Sequence, residues 1–118
     1  MKTALFASLA SVCAAGLWPS VKFTGVYSDP NHPGCPRTIE PTGAVHAEVR
    51  GDDPTPPATA CQGTNDEHWG PLEAFITDDT IVVDFSPKGG PSDLTGNYVE
   101  VDGTYGIRWT DGNFWPKE

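Results

Sequence analysis

Apolar residues in this chain recur at every second position, in short runs broken by proline, glycine and aspartate. In "AVHAEVR" (44–50), Val45, Ala47 and Val49 share one side while His46, Glu48 and Arg50 take the other. That alternation predicts a half-buried strand. "LEAFITDDTIVVDF" (72–85) predicts a hairpin with Asp78-Asp79 at its tip. A two-residue loop sets Ile76 against Ile81, Ala74 against Val83 and Leu72 against Phe85, all on one core face. The same register sets Glu73 against Asp84 on the other face.

The C-terminal third carries two Asp-Gly turns, Asp102-Gly103 and Asp111-Gly112. A three-residue loop at the first pairs Val99 with Tyr105 and puts Val99, Tyr105, Ile107 and Trp109 on one face. At the second, a two-residue turn pairs Arg108 with Trp115, whereas a three-residue turn buries Trp115 and turns Phe114 outward. Either version leaves an aromatic beside Arg108 on the outer face. "VKFTGVY" (21–27) reads as the first strand. "SDPNHPGCPR" (28–37) holds three prolines and reads as a loop, as does the polar run 51–68. The result is an all-β chain of about seven short strands joined as neighbours, with no convincing helix. Such an antiparallel meander closes most easily into a small barrel, with a two-sheet sandwich second.

Composition narrows the picture. Gly 13 and Pro 12 suit a loop-rich β protein, and four Trp, three Tyr and five Phe supply buriable surface within 118 residues. That length allows one small domain, taken as 16–118. Residues 1–15, with Lys2 ahead of a short apolar run ending in alanines, read as a signal peptide cleaved after Ala14 or Ala15. The alternative is a short helix docked on the barrel. The run is too short to span a bilayer. Cleavage removes Cys13 and leaves Cys35 and Cys61, most simply a disulfide in an exported domain; retention of the leader favours free thiols. The formal charge of −9 disfavours nucleic acid and anionic lipid as partners. The expected location is secreted or within a membrane-bounded lumen.

Four groups of residues are candidates for chemistry. Asp29, His32 and Cys35, with Asp66, Glu67 and His68 further on, could ligate metal, but they lack a recognised zinc spacing and a disulfide would remove Cys35. No metal and no cofactor is therefore expected. Glu73 and Asp84 form a candidate catalytic carboxylate pair, since neighbouring like charges raise one pKa and create a proton donor. Lys88 sits in "SPKGGP" (86–91), a loop that can cradle an anion or simply turn the chain; it lacks the phosphate-loop spacing and a following helix. Arg108, Trp109, Trp115 and Tyr27 are candidate ligand or partner contacts, Arg108 with its neighbouring aromatic forming either a cation–π pair or a stacking platform.

The segments "GVYSDPNHPGCPR", "WGPLEAFI", "VDFSPKGGPSDLTG" and "IRWTDGNFWPK" together resemble a family of small exported algal proteins of unassigned function, over most of residues 23–117. More loosely, Gly-x-Tyr in the first strand followed by a meander is similar to lipocalin and avidin-type barrels. That fold-level likeness implies a small ligand held in the barrel mouth and transfers no binding residue.

The function expected is an exported, non-catalytic binding or accessory domain for a small molecule or protein partner. The alternatives are a small hydrolase or lyase using Glu73 and Asp84, and a peripheral structural subunit of a larger assembly. A binder should show a cavity lined by Tyr27, Phe75, Phe85 or Trp109. An enzyme should show two carboxylates about 5–9 Å apart in a cleft. A subunit should show a filled barrel and an exposed apolar patch.

Overall fold

A computed structural model describes residues 18–118; the leader expected at 1–15, and Cys13 with it, lie outside the described residues. The chain forms one antiparallel sheet in strict sequence order: β1 (Gly25–Tyr27), β2 (Arg37–Pro41), β3 (His46–Asp53), β4 (Glu67–Thr77), β5 (Thr80–Val83), β6 (Leu94–Val101), β7 (Thr104–Trp109) and β8 (Phe114–Pro116). The last strand returns to the first through a Tyr27–Lys117 bridge. There the Ser28 N–H donates to the Pro116 carbonyl (2.9 Å) and the Glu118 N–H to that of Val26 (2.8 Å). The result is a nearly closed barrel.

The hairpin β4–β5 has the expected register, Ala74 opposite Val83 and Ile76 opposite Ile81. Alternation decided this element because each inward position is apolar. Four expectations are corrected. Residues 21–27 are not one strand: Pro19, pre-set for a first helical turn, starts helix α1 (Pro19–Phe23), which precedes the short β1. The helix is pinned to the base by the Ser20 N–H to the Ala44 carbonyl (3.1 Å) and Ser20 Oγ to that of Gly43 (2.7 Å). The loop read over 28–37 ends at Pro36, because Arg37 opens β2 ("RTIEP"), which brings the expected count of about seven strands to eight; its inward residues are Arg37 and Ile39, and the arginine breaks the apolar pattern.

The polar run 51–68 is largely strand at its ends, β3 continuing to Asp53 and β4 beginning at Glu67. Lastly, Asp102-Gly103 is a two-residue turn with positive φ at both positions (51° and 83°), the form that matches strand twist. Val99 therefore faces outward opposite Gly106, while Tyr98, rather than Val99, shares the inner face with Ile107 and Trp109. The second Asp-Gly turn takes its three-residue form: Trp115 is buried and Phe114 stands outside against Arg108, 5.2 Å from ring to guanidinium.

The inner face is filled. Tyr27, Ile39, Val49, Ile76, Ile81, Val83 and Ile107 are all fully buried, and Phe23 of α1 plugs the base against Tyr98. In an eight-stranded barrel side chains can occupy the whole interior, which leaves the mouth as the place for a ligand. A meander alternates its connections between ends. The connections 28–36, 54–66, 84–93 and 110–113 all lie at one mouth, while 42–45, the two-residue turns at 78–79 and 102–103, and α1 close the other end. A Cys35–Cys61 disulfide (Cα–Cα 5.1 Å) staples two of these long loops together. Among the described residues no helix is long and apolar enough to cross a membrane.

Candidate functional site

The loop-bearing mouth contains a cavity of about 280 Å³. Its aromatic wall comes from Trp69, Phe85, Trp109 and Trp115, in edge-to-face contacts with centroid separations of 4.8 Å (Trp109–Trp115) to 6.3 Å (Phe85–Trp115). Local sequence places each ring. Trp69 would point outward by simple alternation from Leu72, but a bulge beside Arg50 gives β4 an extra residue and turns it inward across Gly51. A Cβ on Gly51 would come within 2.5 Å of that ring. Gly96 similarly leaves room for Trp109, whose ring a Cβ would meet at 2.8 Å.

Arg37 lies at the centre, 1% exposed, with its guanidinium 5.2 Å from the Trp69 ring and 5.6 Å from that of Trp115. Burying a guanidinium is costly unless it is paired. Its Nη1 donates to the Asp52 carbonyl, and its Nη2 reaches Asp53 Oδ1 (3.0 Å) and Asp29 Oδ2 (3.2 Å). Asp29 also accepts from the Asn31 N–H (2.9 Å) and Asn113 Nδ2 (2.9 Å) and contacts His32 Nδ1 (2.8 Å). Burial alone would raise the Asp29 pKa. The bonds from Asn113, His32 and Asn31 and the charge of Arg37 outweigh it, so the carboxyl lies below its ordinary value. Asp53 is also lowered: burial opposes ionisation, but Lys88 and Arg37 outweigh it.

Lys88 closes the network. The loop after Phe85 makes a 3₁₀ turn at Ser86–Lys88, ended by Gly89 in the left-handed region (φ 90°). Its backbone folds back on Phe85, which donates to the Pro91 carbonyl (2.8 Å). Lys88 Nζ thereby rests 2.9 Å from Asp53 Oδ2 and 4.8 Å above the Trp69 ring.

Four buried side-chain donors have no hydrogen-bond partner: Arg37 Nε and the Nε1 of Trp69, Trp109 and Trp115. These are all the unpartnered buried side-chain atoms found among the described residues, and all four belong to residues lining this one cavity. An unpaired buried donor costs about 1–3 kcal/mol. Four together would take up much of the roughly 5–15 kcal/mol net stability of a domain. Such groups are ordinarily paired by ordered water or by a bound molecule.

Of the candidates read from sequence, Asp29, His32, Phe85, Lys88, Trp109 and Trp115 converge here. Tyr27 does not line the cavity; it is fully buried and its hydroxyl donates to the Phe23 carbonyl (2.7 Å). Arg108 is on the outer face with Phe114, and Phe75 is outside, 49% exposed. The Asp84 N–H does donate to the Glu73 carbonyl (3.1 Å), but neither residue lines the cavity. Asp84 turns to accept from Ser86 Oγ and N–H, which lowers its pKa, the reverse of what a proton donor needs. Glu73, on a central strand, stands opposite Glu48 of β3 on its other side. Among the described residues no three His, Cys, Asp or Glu side chains are grouped to hold a metal.

Sequence reasoning missed Arg37, Asp53 and the pocket-facing role of Trp69. The local signal was the i, i+2 spacing of Arg37 and Ile39, which puts both on one face of a strand. No protein-family model, curated protein or solved structure matches the chain.

Proposed function

We propose that this chain is an exported, non-catalytic binding module that holds a small molecule in its tryptophan-lined mouth. The observation that carries the reading is the coincidence, in one cavity, of a buried arginine, a rim lysine and all the unpartnered buried side-chain donors among the described residues. A volume of about 280 Å³ lies at the lower edge of the usual range of ligand pockets, roughly 300–1,000 Å³, so a molecule of one or two rings fits. The disulfide suits an oxidising compartment and hence export. The lowered pKa of Asp84 suits a proton donor poorly, which supports binding over catalysis by the Glu73–Asp84 pair.

One observation favours a second reading, a structural subunit: the barrel below the mouth is filled by its own side chains, and Trp18 and Val21 stand exposed at the base. A thermal-shift screen of a small-fragment library separates the two. Fragments that stabilise the wild type should lose roughly tenfold in affinity for Lys88→Ala, which removes a rim contact and leaves the fold intact. Equal binding to both proteins would place the site elsewhere. An absence of hits, with the chain sedimenting in a stable larger assembly, would favour the subunit.

A further inference from the structure

From the hydrogen-bond inventory of the mouth we infer that its ligand is a small, uncharged, planar molecule bearing carbonyl-type acceptor oxygens; the inference rests on the binding reading above. The free capacity is one-sided. The four unpartnered groups are all N–H donors, an arginine Nε and three indoles, and no buried side-chain acceptor lacks a partner among the described residues. The most buried acceptor, Asp29, already has four donors on its two oxygens, about its full capacity. A ligand rich in hydroxyl donors would leave the indoles unpaired and compete for filled carboxylates. Oxygens that only accept match what remains.

Charge excludes the anionic version of the same chemistry. Arg37 is already engaged by Asp29 and Asp53 and Lys88 by Asp53, and Asp111 adds a further carboxylate to the lining, so no cation is left over for an anion. The whole chain carries −9. A phosphate or sulfate would be repelled, whereas a neutral carbonyl accepts the same N–H bonds without that cost. Shape supplies the planarity, since the cavity wall is built of four aromatic rings and holds one or two more. The four N–H groups lie beneath the surface, so the ligand must slip between rings. Lys88, leaning over Trp69 with one carboxylate contact, is the side chain that can swing to admit it.

The experiment is a titration of the ¹⁵N-labelled protein, following its indole N–H signals, with four probes: coumarin, naphthalene, benzoate and glucose. Trp18, 52% exposed and outside the mouth, is the internal reference. Coumarin should move signals of Trp69, Trp109 or Trp115 downfield, leave Trp18 unmoved, and bind about tenfold more tightly than naphthalene, which has the same shape and no acceptor. Equal affinity for naphthalene would overturn the acceptor requirement. Tighter binding of benzoate or glucose at the same indoles would overturn the ligand class and leave the binding site standing. If no probe moves a mouth indole, both the ligand class and the binding reading fall, and the donors are paired by water alone.

Discussion

Replacing Arg37 with methionine removes the cation at the centre of the mouth while keeping most of its buried stem. The partners left behind set the cost. Asp53 retains Lys88 and is partly exposed, so it loses little. The Asp29 side chain, only 4% exposed, retains Asn31, Asn113 and His32 but loses its counter-charge. Breaking a buried ion pair from one side typically costs 3–5 kcal/mol; with three donors remaining, the lower end, about 3 kcal/mol, applies here. Urea unfolding followed by tryptophan fluorescence reads it. With a slope of about 1–3 kcal/mol/M, the midpoint should fall by at least about 1 M. Adding Asp29→Asn should restore part of the loss by removing the stranded charge. Both carboxyls are lowered in the folded state, so they contribute stability above the ordinary carboxylate value, about 3.9, and lose it as pH falls through the folded value. The deficit of Arg37→Met should therefore shrink below about pH 4. A change no larger than that of a surface substitution, under about 0.5 kcal/mol, would refute this account of the network.

Other expectations follow from single features. Replacing Cys35 and Cys61 by serine opens a loop with a sequence separation of 26, and the chain-entropy relation gives a loss of about 3.5 kcal/mol, measurable by the same unfolding assay. Gly106→Ala should cost about 1–3 kcal/mol through overpacking, because its Cβ would lie 2.3 Å from the Trp115 carbonyl oxygen and 2.7 Å from the Phe114 ring. Gly103→Ala, in open space but at φ 83°, should cost only about 1–2 kcal/mol of backbone strain. Thermal melting that ranks Gly103→Ala as the more damaging would contradict this packing. His68 should titrate above the ordinary histidine value because Asp52 bonds its ring (2.5 Å), a contribution present at low pH and lost as pH rises through the folded value. Asp52→Asn should return its NMR titration midpoint to normal.

The candidate residues divide by how far their neighbours reach along the chain. Lys88 was visible as a cation among turn residues, and Trp109 and Trp115 as aromatics at alternating positions. Their convergence was not, because it needs β5–β6, β7 and β8 brought to one mouth. Trp69 was hidden by the bulge at Arg50, which inverts the facing that simple alternation assigns. Arg37 was hidden because an inward arginine contradicts the apolar pattern by which a strand is recognised. Only the facing carboxylates, Asp29 in the β1–β2 loop and Asp53 at the end of β3, make its burial tolerable.

By itself, the sequence determined the all-β class and the β4–β5 register, since alternation and turn residues are local properties; it left Cys35 and Cys61 open between a disulfide and free thiols, and the structure joins them. Tertiary structure decided the eighth strand, the base-plugging helix and the mouth. Each depends on contacts between distant segments: Arg37 with Asp29 and Asp53, Lys88 with Asp53, and the return of β8 to β1. The period of a strand records which side a residue faces. It carries no record of which other side chains face it.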